Sequence, residues 1–211
     1  MAVHDTWDNL RLEAFLKLSK SKCALGGFVR KWGPCTLRQA PDLFDCLARS
    51  IIAQFISTKA AETISTRICA AGRKPLFYPS GIIKLGHIGL KKLGLSTAKA
   101  SFLMGAAELW KDRSRKRLPA LQAGIEEVET LLGELPGVGP WTLDMLRIFA
   151  LGKPDIFPVG DYGLKSGIAE LFGMTELPDK AQLFRIGEPW APYRTFATWY
   201  IWRSKGNVPQ S

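Results

Sequence analysis

Residues 135–142 read Leu-Pro-Gly-Val-Gly-Pro-Trp-Thr, and this stretch decides how the chain on either side of it folds. Two glycines and two prolines within eight residues interrupt any helix. The preceding segment repeats apolar residues at helical spacing over 125–132, and the following one predicts a helix from Pro140 or Trp141 to Leu151. The stretch, called the hairpin below, is therefore predicted to be a tight turn between two helices.

The two glycines suit the hairpin to binding a phosphate. Gly137 and Gly139 have no Cβ, so the turn can adopt a positive φ and a phosphate can approach the main chain closely. The amides of Gly137, Gly139 and Thr142 are then available as outward-pointing donors at the start of the second helix. Donors of this kind hold a phosphate without reading a base. The alternative is an ordinary tight turn, in which glycine and proline are also common.

Helical spacing of apolar residues continues through most of the chain, as at Leu43, Leu47 and Ile51, and predicts an all-α fold. The predicted helices are Leu43–Ile56 with Pro41 in a first-turn position, one capped by Ser57 or Thr58 and running to Ile68, and one from about Ser96 to Trp110. No apolar run approaches the roughly 18 residues of a membrane-spanning helix, and acids near the N-terminus argue against a signal peptide. We therefore expect an intracellular protein that is not embedded in a membrane.

The chain is basic, with 29 Lys+Arg against 19 Asp+Glu and a net charge of +10. Residues 73–117 hold eleven bases and two acids, and so carry most of that charge. These bases either follow a phosphate backbone or occupy solvated helix faces and a basic loop, and charge alone leaves both readings open. They are Arg73, Lys74, Lys84, Lys91, Lys92, Lys99, Lys111, Arg113, Arg115, Lys116 and Arg117.

Three further segments, taken together with the hairpin, resemble parts of one known protein family. Residues 155–164 read Asp-Ile-Phe-Pro-Val-Gly-Asp-Tyr-Gly-Leu, residues 190–203 are rich in aromatic side chains, and residues 49–57 read Arg-Ser-Ile-Ile-Ala-Gln-Phe-Ile-Ser. Together with the hairpin they resemble the helix-hairpin-helix DNA glycosylase superfamily, and within it the 3-methyladenine DNA glycosylase II type. The resemblance covers roughly residues 43–203.

The resemblance implies an all-α, two-lobed helix-hairpin-helix glycosylase fold with the active-site cleft between the lobes. One lobe is expected to comprise residues 43–153 and to end in the helix-hairpin-helix. The other is expected to combine residues 1–42 with residues 154–211. The implied function is excision of alkylated purines, 3-methyladenine and its relatives, from duplex DNA in base excision repair. The alternative is a helix-hairpin-helix module that binds DNA without catalysis.

By the same resemblance, Asp161 matches the catalytic aspartate. A carboxylate near the sugar C1′ stabilises the positive charge that builds up when the N-glycosidic bond breaks, and it can orient or deprotonate the attacking water. An Asp before a helical run is also a good N-cap, and one carboxylate can serve both roles. Members that also cut the strand carry a lysine in the hairpin, where this chain has Trp141. The implied enzyme is therefore a hydrolase without lyase activity.

The resemblance places Trp141 and Trp202 as walls of the base pocket, with Tyr162 and Trp199 as weaker candidates. Aromatic rings attract the delocalised positive charge of an alkylated purine. For Trp199, packing in the core is the favoured alternative. A pocket-facing aromatic of some relatives corresponds to Met145 here, which leaves the base preference open.

A flipped base leaves a gap in the duplex that a side chain must fill. By position Phe55 is the wedge, and its neighbour Gln54 is expected to hydrogen-bond the orphaned partner base. The alternative for Phe55 is core packing at a helix end.

The expectations for cofactors and partners are limited. Four cysteines, all within the first third of the chain and without a C-x-x-C pair, predict reduced thiols and no zinc site. The resemblance implies that there is no iron–sulfur cluster, because the iron–sulfur members carry four closely spaced cysteines near the C-terminus and this chain has none after Cys69. The resemblance implies a structural Na⁺ or K⁺ on the main-chain carbonyls of Gly133, Leu135 and Val138, and no cofactor for catalysis. The expected partner is duplex DNA with a damaged base, bound by a monomer.

Overall fold

The computed structural model describes residues 3–40, 42–113, 130 and 132–206. Every regular element in that part of the chain is a helix, which confirms the predicted all-α class. The α-helices are α1 (Val3–Leu18), α2 (Ala24–Trp32), α3 (Leu43–Ala53), α4 (Thr58–Gly72), α5 (Pro79–Lys92), α6 (Thr97–Arg113), α7 (Pro140–Phe149), α8 (Tyr162–Leu171), α9 (Lys180–Gly187) and α10 (Arg194–Ser204), with a 3-10 turn at Glu188–Trp190.

The chain divides into two compact units. The central unit is Ala40–Leu146, and the terminal unit combines Met1–Gln39 with Arg147–Ser211. The boundary between Leu146 and Arg147 falls inside α7, whereas the sequence predicts a boundary after residue 153. None of the helices in the described ranges is long and apolar enough to cross a membrane.

The central unit contains α3, which begins at Leu43. Asp42 caps the helix by accepting the Asp45 amide at 2.8 Å, and the predicted first-turn residue Pro41 lies outside the described residues. Leu47 and Ile51 are buried, in agreement with the helical spacing. The helix ends at Ala53 and not at Ile56, because Phe55 adopts a positive φ of 56° that no α-helix accommodates.

The remaining helices of the central unit correct several predicted boundaries. Ser57 caps α4 by accepting the Ala60 amide, and α4 runs to Gly72, beyond the predicted end. Helix α6 ends at Arg113, and α5 is interrupted by non-helical dihedral angles at Gly86. Of the helix predicted over 125–132, only residues 130 and 132 are described, and both are helical.

The terminal unit packs around α10, whose residues Thr195–Trp202 are all buried. Trp7 donates its indole N–H to the Leu37 carbonyl, and the Tyr200 hydroxyl donates to the Gly33 carbonyl, so the N-terminal segment is fixed to this core. All four cysteine thiols are free. Burial raises the pKa of the Cys35 and Cys46 thiols to about 12, so these two behave as small apolar side chains.

Candidate active site and DNA interface

The loop that leads to Asp161 is anchored to the first turn of α10. Arg194 makes a two-pronged ion pair with Asp155, with N–O distances of 2.8 and 2.7 Å, and its hydrogen bonds lower the pKa of that carboxyl. The Thr195 hydroxyl accepts the Ile156 amide and donates to the Lys153 carbonyl. A loop held at several points can present a side chain in one orientation.

Asp161 is the N-cap of α8, which confirms the prediction that an Asp before a helical run caps the helix. Its Oδ1 accepts the Leu164 amide at 2.6 Å. The same oxygen accepts the indole N–H of Trp202 at 2.8 Å. Two donors therefore fix this carboxylate oxygen, one local and one from a helix 41 residues further along the chain. Capping the helix and holding the carboxylate still for chemistry are one arrangement.

The indole that holds Asp161 is itself fixed. Trp202 is only 3% exposed and stacks on Phe149 with ring centroids 6.0 Å apart and an interplanar angle of 12°. The structure therefore shows Trp202 as the partner of Asp161 and does not show it as an open wall of a base pocket. Gly163 lies beside this contact, and a Cβ there would come within 3.1 Å of Asp161 Oδ1 and 3.3 Å of Trp202 Cδ1. A small residue at position 163 therefore leaves room for the contact between Asp161 and Trp202. The sequence does not indicate this role of Gly163, because no residue near it shows that the Trp202 indole packs beside it.

The other aromatic candidates of the terminal unit separate by exposure. Trp199 is only 1% exposed, packs edge-on against Tyr200, and has the Arg203 guanidinium over its ring. It presents no face to a base, so its assignment to the base pocket is wrong and core packing is its role. Tyr162, next to Asp161, is 72% exposed.

The hairpin in the central unit has the predicted turn geometry. The Leu135 and Val138 amides donate to the Leu132 and Leu135 carbonyls, and Gly137 has a φ of 83°. A Cβ at Gly137 would overlap the Phe102 ring, so both the dihedral angle and the packing require glycine there.

Gly139 differs from Gly137, because a Cβ there would meet no atom within 4 Å. The first hydrogen bond of α7 runs from the Leu143 amide to the Gly139 carbonyl, so Gly139 lies where a helix leaves its amides without intrahelical partners. Thr142, however, is 1% exposed. The prediction that its amide binds a phosphate is therefore wrong, because burial closes it to a ligand. Trp141 is half-buried.

The turn between α3 and α4 carries Phe55, which is fully exposed to solvent. Core packing is therefore excluded for Phe55. The Gln54 amide donates from Nε2 to the Gly137 carbonyl at 2.8 Å and to the Thr142 hydroxyl at 2.9 Å. Both donors of the Gln54 amide are therefore used within the protein, so only its side-chain oxygen is available to accept a hydrogen bond from an orphaned base, and that role stays a prediction.

Lys99 supports the same turn, and sequence reasoning assigned it only to the basic segment. Its Nζ donates to the Ile52 carbonyl at 2.8 Å and to the Gln54 carbonyl at 2.6 Å. Nothing in the residues around Lys99 distinguishes it from the other bases of residues 73–117, because its partners lie more than forty residues earlier.

In the described part of the chain, helical residues up to Gly133 lead through the glycine-containing turn into α7, and this is the arrangement of a helix-hairpin-helix protein. Comparison with known proteins specifies the family. Residues 48–192 match the model of the HhH-GPD superfamily of base excision DNA repair proteins, and the chain belongs to that family.

Individual relatives agree with this assignment. The chain is 31% identical over 183 residues to the alkylbase DNA glycosidase-like protein mag2 of Schizosaccharomyces pombe, covering 83% of this chain and 84% of that one. It is 26% identical to a DNA-3-methyladenine glycosylase of Bacillus subtilis, covering 95% of this chain and 70% of the relative. A solved structure of the S. pombe 3-methyladenine DNA glycosylase Mag1 with abasic DNA superposes with a TM-score of 0.80 at 26% identity, covering 94% and 99% of the two chains.

Proposed function

We propose that this protein is a monofunctional DNA glycosylase, which hydrolyses the N-glycosidic bond of alkylated purines in duplex DNA during base excision repair. The observation that carries the proposal is the Asp161 carboxylate, held through Oδ1 by the Leu164 amide and the Trp202 indole. The relatives named 3-methyladenine glycosylases support the choice of substrate class. This role requires a compartment that contains DNA.

The reaction needs little beyond a fixed carboxylate. A water oxygen bonds to C1′, the C1′–N bond breaks, and its electron pair leaves with the base. Asp161 stabilises the positive charge that develops on the sugar and takes the proton released by the water. An alkylated purine already carries positive charge and leaves readily, so no strong general acid is required at the base.

The function is tested by incubating the purified protein with methylated duplex DNA and separating the released bases by chromatography. Release of 3-methyladenine is the expected result. Tight DNA binding without release of any alkylated base would instead support the helix-hairpin-helix module that binds without catalysis.

The absence of strand cleavage is a separate prediction, which rests on Trp141 occupying the hairpin position of the lyase lysine. An indole cannot form the imine with C1′ that strand cleavage requires. We expect DNA treated with the protein to stay intact on a denaturing gel and to break only after alkali. Nicks before alkali, together with a borohydride-trapped protein–DNA adduct, would overturn this.

The wedge role of Phe55 gives a further prediction. Phe55→Ala is expected to weaken binding to a duplex with an abasic-site analogue by about 1–3 kcal/mol, the typical value of stacking an aromatic ring on a base. Ile88→Ala is the matched control, because Ile88 is also an exposed apolar residue of the central unit. Fluorescence anisotropy at fixed salt measures both variants. Equal affinities for the two variants would remove Phe55 from the DNA interface.

The hairpin also fits the monovalent cation that the resemblance implies. Gly133 is the last helical residue before the turn, where main-chain carbonyls lack intrahelical partners, and carbonyls are suitable ligands for Na⁺ or K⁺. The Leu135 carbonyl already accepts the Val138 amide, but it retains a second lone pair. A cation bound by Gly133, Leu135 and Val138 would supply fixed positive charge beside the Gly137 and Gly139 amides.

A further inference from the structure

The turn between α3 and α4 has a strained main chain at Phe55, and the Phe55 side chain makes no packing contact that would offset this strain. Phe55 is a non-glycine residue in the left-handed region, a conformation that is unfavourable for any residue with a Cβ. Its ring is wholly in solvent, so packing of the ring does not offset that strain. The main chain on the N-terminal side of Phe55 must therefore be held by other groups.

Lys99 provides the first support. Its ammonium group donates to the Ile52 and Gln54 carbonyls, which lie at the C-terminal end of α3 and immediately before Phe55. Carbonyls at this end of a helix lack intrahelical partners and carry the negative end of the helix dipole, so a cation is the favoured partner. Burial lowers the pKa of Lys99, in keeping with an ammonium group that points into the protein.

Gln54 provides the second support. Its side-chain amide donates to the Gly137 carbonyl and the Thr142 hydroxyl, and so fastens the residue before Phe55 to the hairpin. The two supports act on the same residue, since Lys99 holds the Gln54 carbonyl while the hairpin holds the Gln54 side chain.

We infer that Lys99 is a positioning residue of the DNA-insertion step, which holds the Phe55 turn in its strained, exposed conformation before DNA binds. The inference rests on the proposed function in one respect, the insertion of Phe55 into DNA. Presetting the turn removes a conformational cost from binding. Lys99 therefore acts through Phe55, and its charge is used within the protein and not on a phosphate.

This role separates Lys99 from a base that follows the DNA backbone. A lysine that neutralises a phosphate contributes about 0.9 to the slope of log affinity against log salt concentration. A lysine that acts through Phe55 leaves that slope unchanged, and its loss has no effect once the Phe55 ring has been removed.

The experiment compares Lys99→Met, Lys99→Arg, Phe55→Ala and the double variant Lys99→Met/Phe55→Ala. Lys180→Met is the control, since Lys180 is an exposed lysine of α9 in the terminal unit. The readouts are affinity for a duplex with an abasic-site analogue at several salt concentrations, and urea unfolding to verify that each variant is folded. If Lys99→Met does not fold, Lys99→Gln replaces it, because an amide retains a donor for one of the two carbonyls.

We expect Lys99→Met to weaken binding about ten-fold at an unchanged salt slope, the size of one lost preorganisation cost. Lys99→Arg should restore most of the affinity, and Lys180→Met should stay close to the wild type. In the Phe55→Ala background, Lys99→Met should have no further effect. A lower salt slope, or a full additional loss in the double variant, would overturn the inference.

Failure of the inference is distinguishable from failure of the proposed function. A wild type that releases no base, but whose abasic-site affinity still shows the coupling between Lys99 and Phe55, would remove the function and leave the inference standing. A wild type that releases 3-methyladenine with no such coupling would do the opposite.

Discussion

Asp161→Asn is expected to lower the rate of base release by at least about 100-fold, the usual effect of removing one preorganised electrostatic group. The amide is nearly isosteric with the carboxylate but carries no negative charge and does not accept a proton from water. Affinity for a duplex with an abasic-site analogue should stay within about three-fold of the wild type, because an exchange of Asp for Asn does not alter the phosphate contacts that dominate binding.

The choice of Asn separates catalysis from capping. Asn is as good an N-cap as Asp, and its Oδ1 still accepts the Leu164 amide and the Trp202 indole N–H. The matched control is Asp179→Asn, since Asp179 caps α9 and accepts the Gln182 amide at 2.7 Å but belongs to no proposed site.

Single-turnover release of 3-methyladenine from methylated DNA measures both variants, with urea unfolding as the check on structure. Loss of release in Asp161→Asn only, with both variants folded, assigns the chemistry to this carboxylate. Equal release by Asp161→Asn and the wild type would remove Asp161 from the reaction. It would also return the residue to the purely structural role that its position at the start of α8 already explains.

Features that depend on neighbouring residues could be predicted from the sequence. The cap at Asp161, the cap at Ser57 and the helix-breaking hairpin all follow from side chains within about four residues of each other. The hydrophobic spacing around α3 was likewise sufficient to identify its buried face.

Features that depend on contacts between residues far apart in the sequence could not be predicted from it. The apolar residues Ile52, Phe55 and Ile56 favour a helix that continues to Ile56, but α3 ends at Ala53 in a turn that Lys99 from α6 holds. Gln54 is expected at the DNA because it adjoins the predicted wedge Phe55, and its position alone does not show that its side-chain N–H group donates to a hairpin carbonyl 83 residues away. Trp202 lies 41 residues after Asp161 in the sequence. The resemblance singles out both residues, but only the structure shows that the Trp202 indole donates a hydrogen bond to the Asp161 carboxylate.

The two hairpin glycines give the second large expected effect, because they differ in what a methyl group would meet. Gly137→Ala combines a left-handed φ of 83° with overlap of the Phe102 ring. We expect it to lower the free energy of unfolding by about 2–5 kcal/mol, the sum of a typical left-handed penalty and a typical overpacking penalty. Urea unfolding followed by tryptophan fluorescence measures this loss.

Gly139→Ala is the matched variant in the same turn. A Cβ at Gly139 meets no atom within 4 Å, and the glycine has no left-handed φ, so the expected loss of stability is below about 1 kcal/mol. The open space beside its amide is where a phosphate would approach, and the added methyl is expected to weaken duplex binding about ten-fold by keeping the phosphate away from its donors. The pair thus separates a glycine required by the fold from one required by the ligand. Equal stability of the two variants would contradict the packing argument at Gly137, and undiminished DNA affinity of Gly139→Ala would place the phosphate elsewhere.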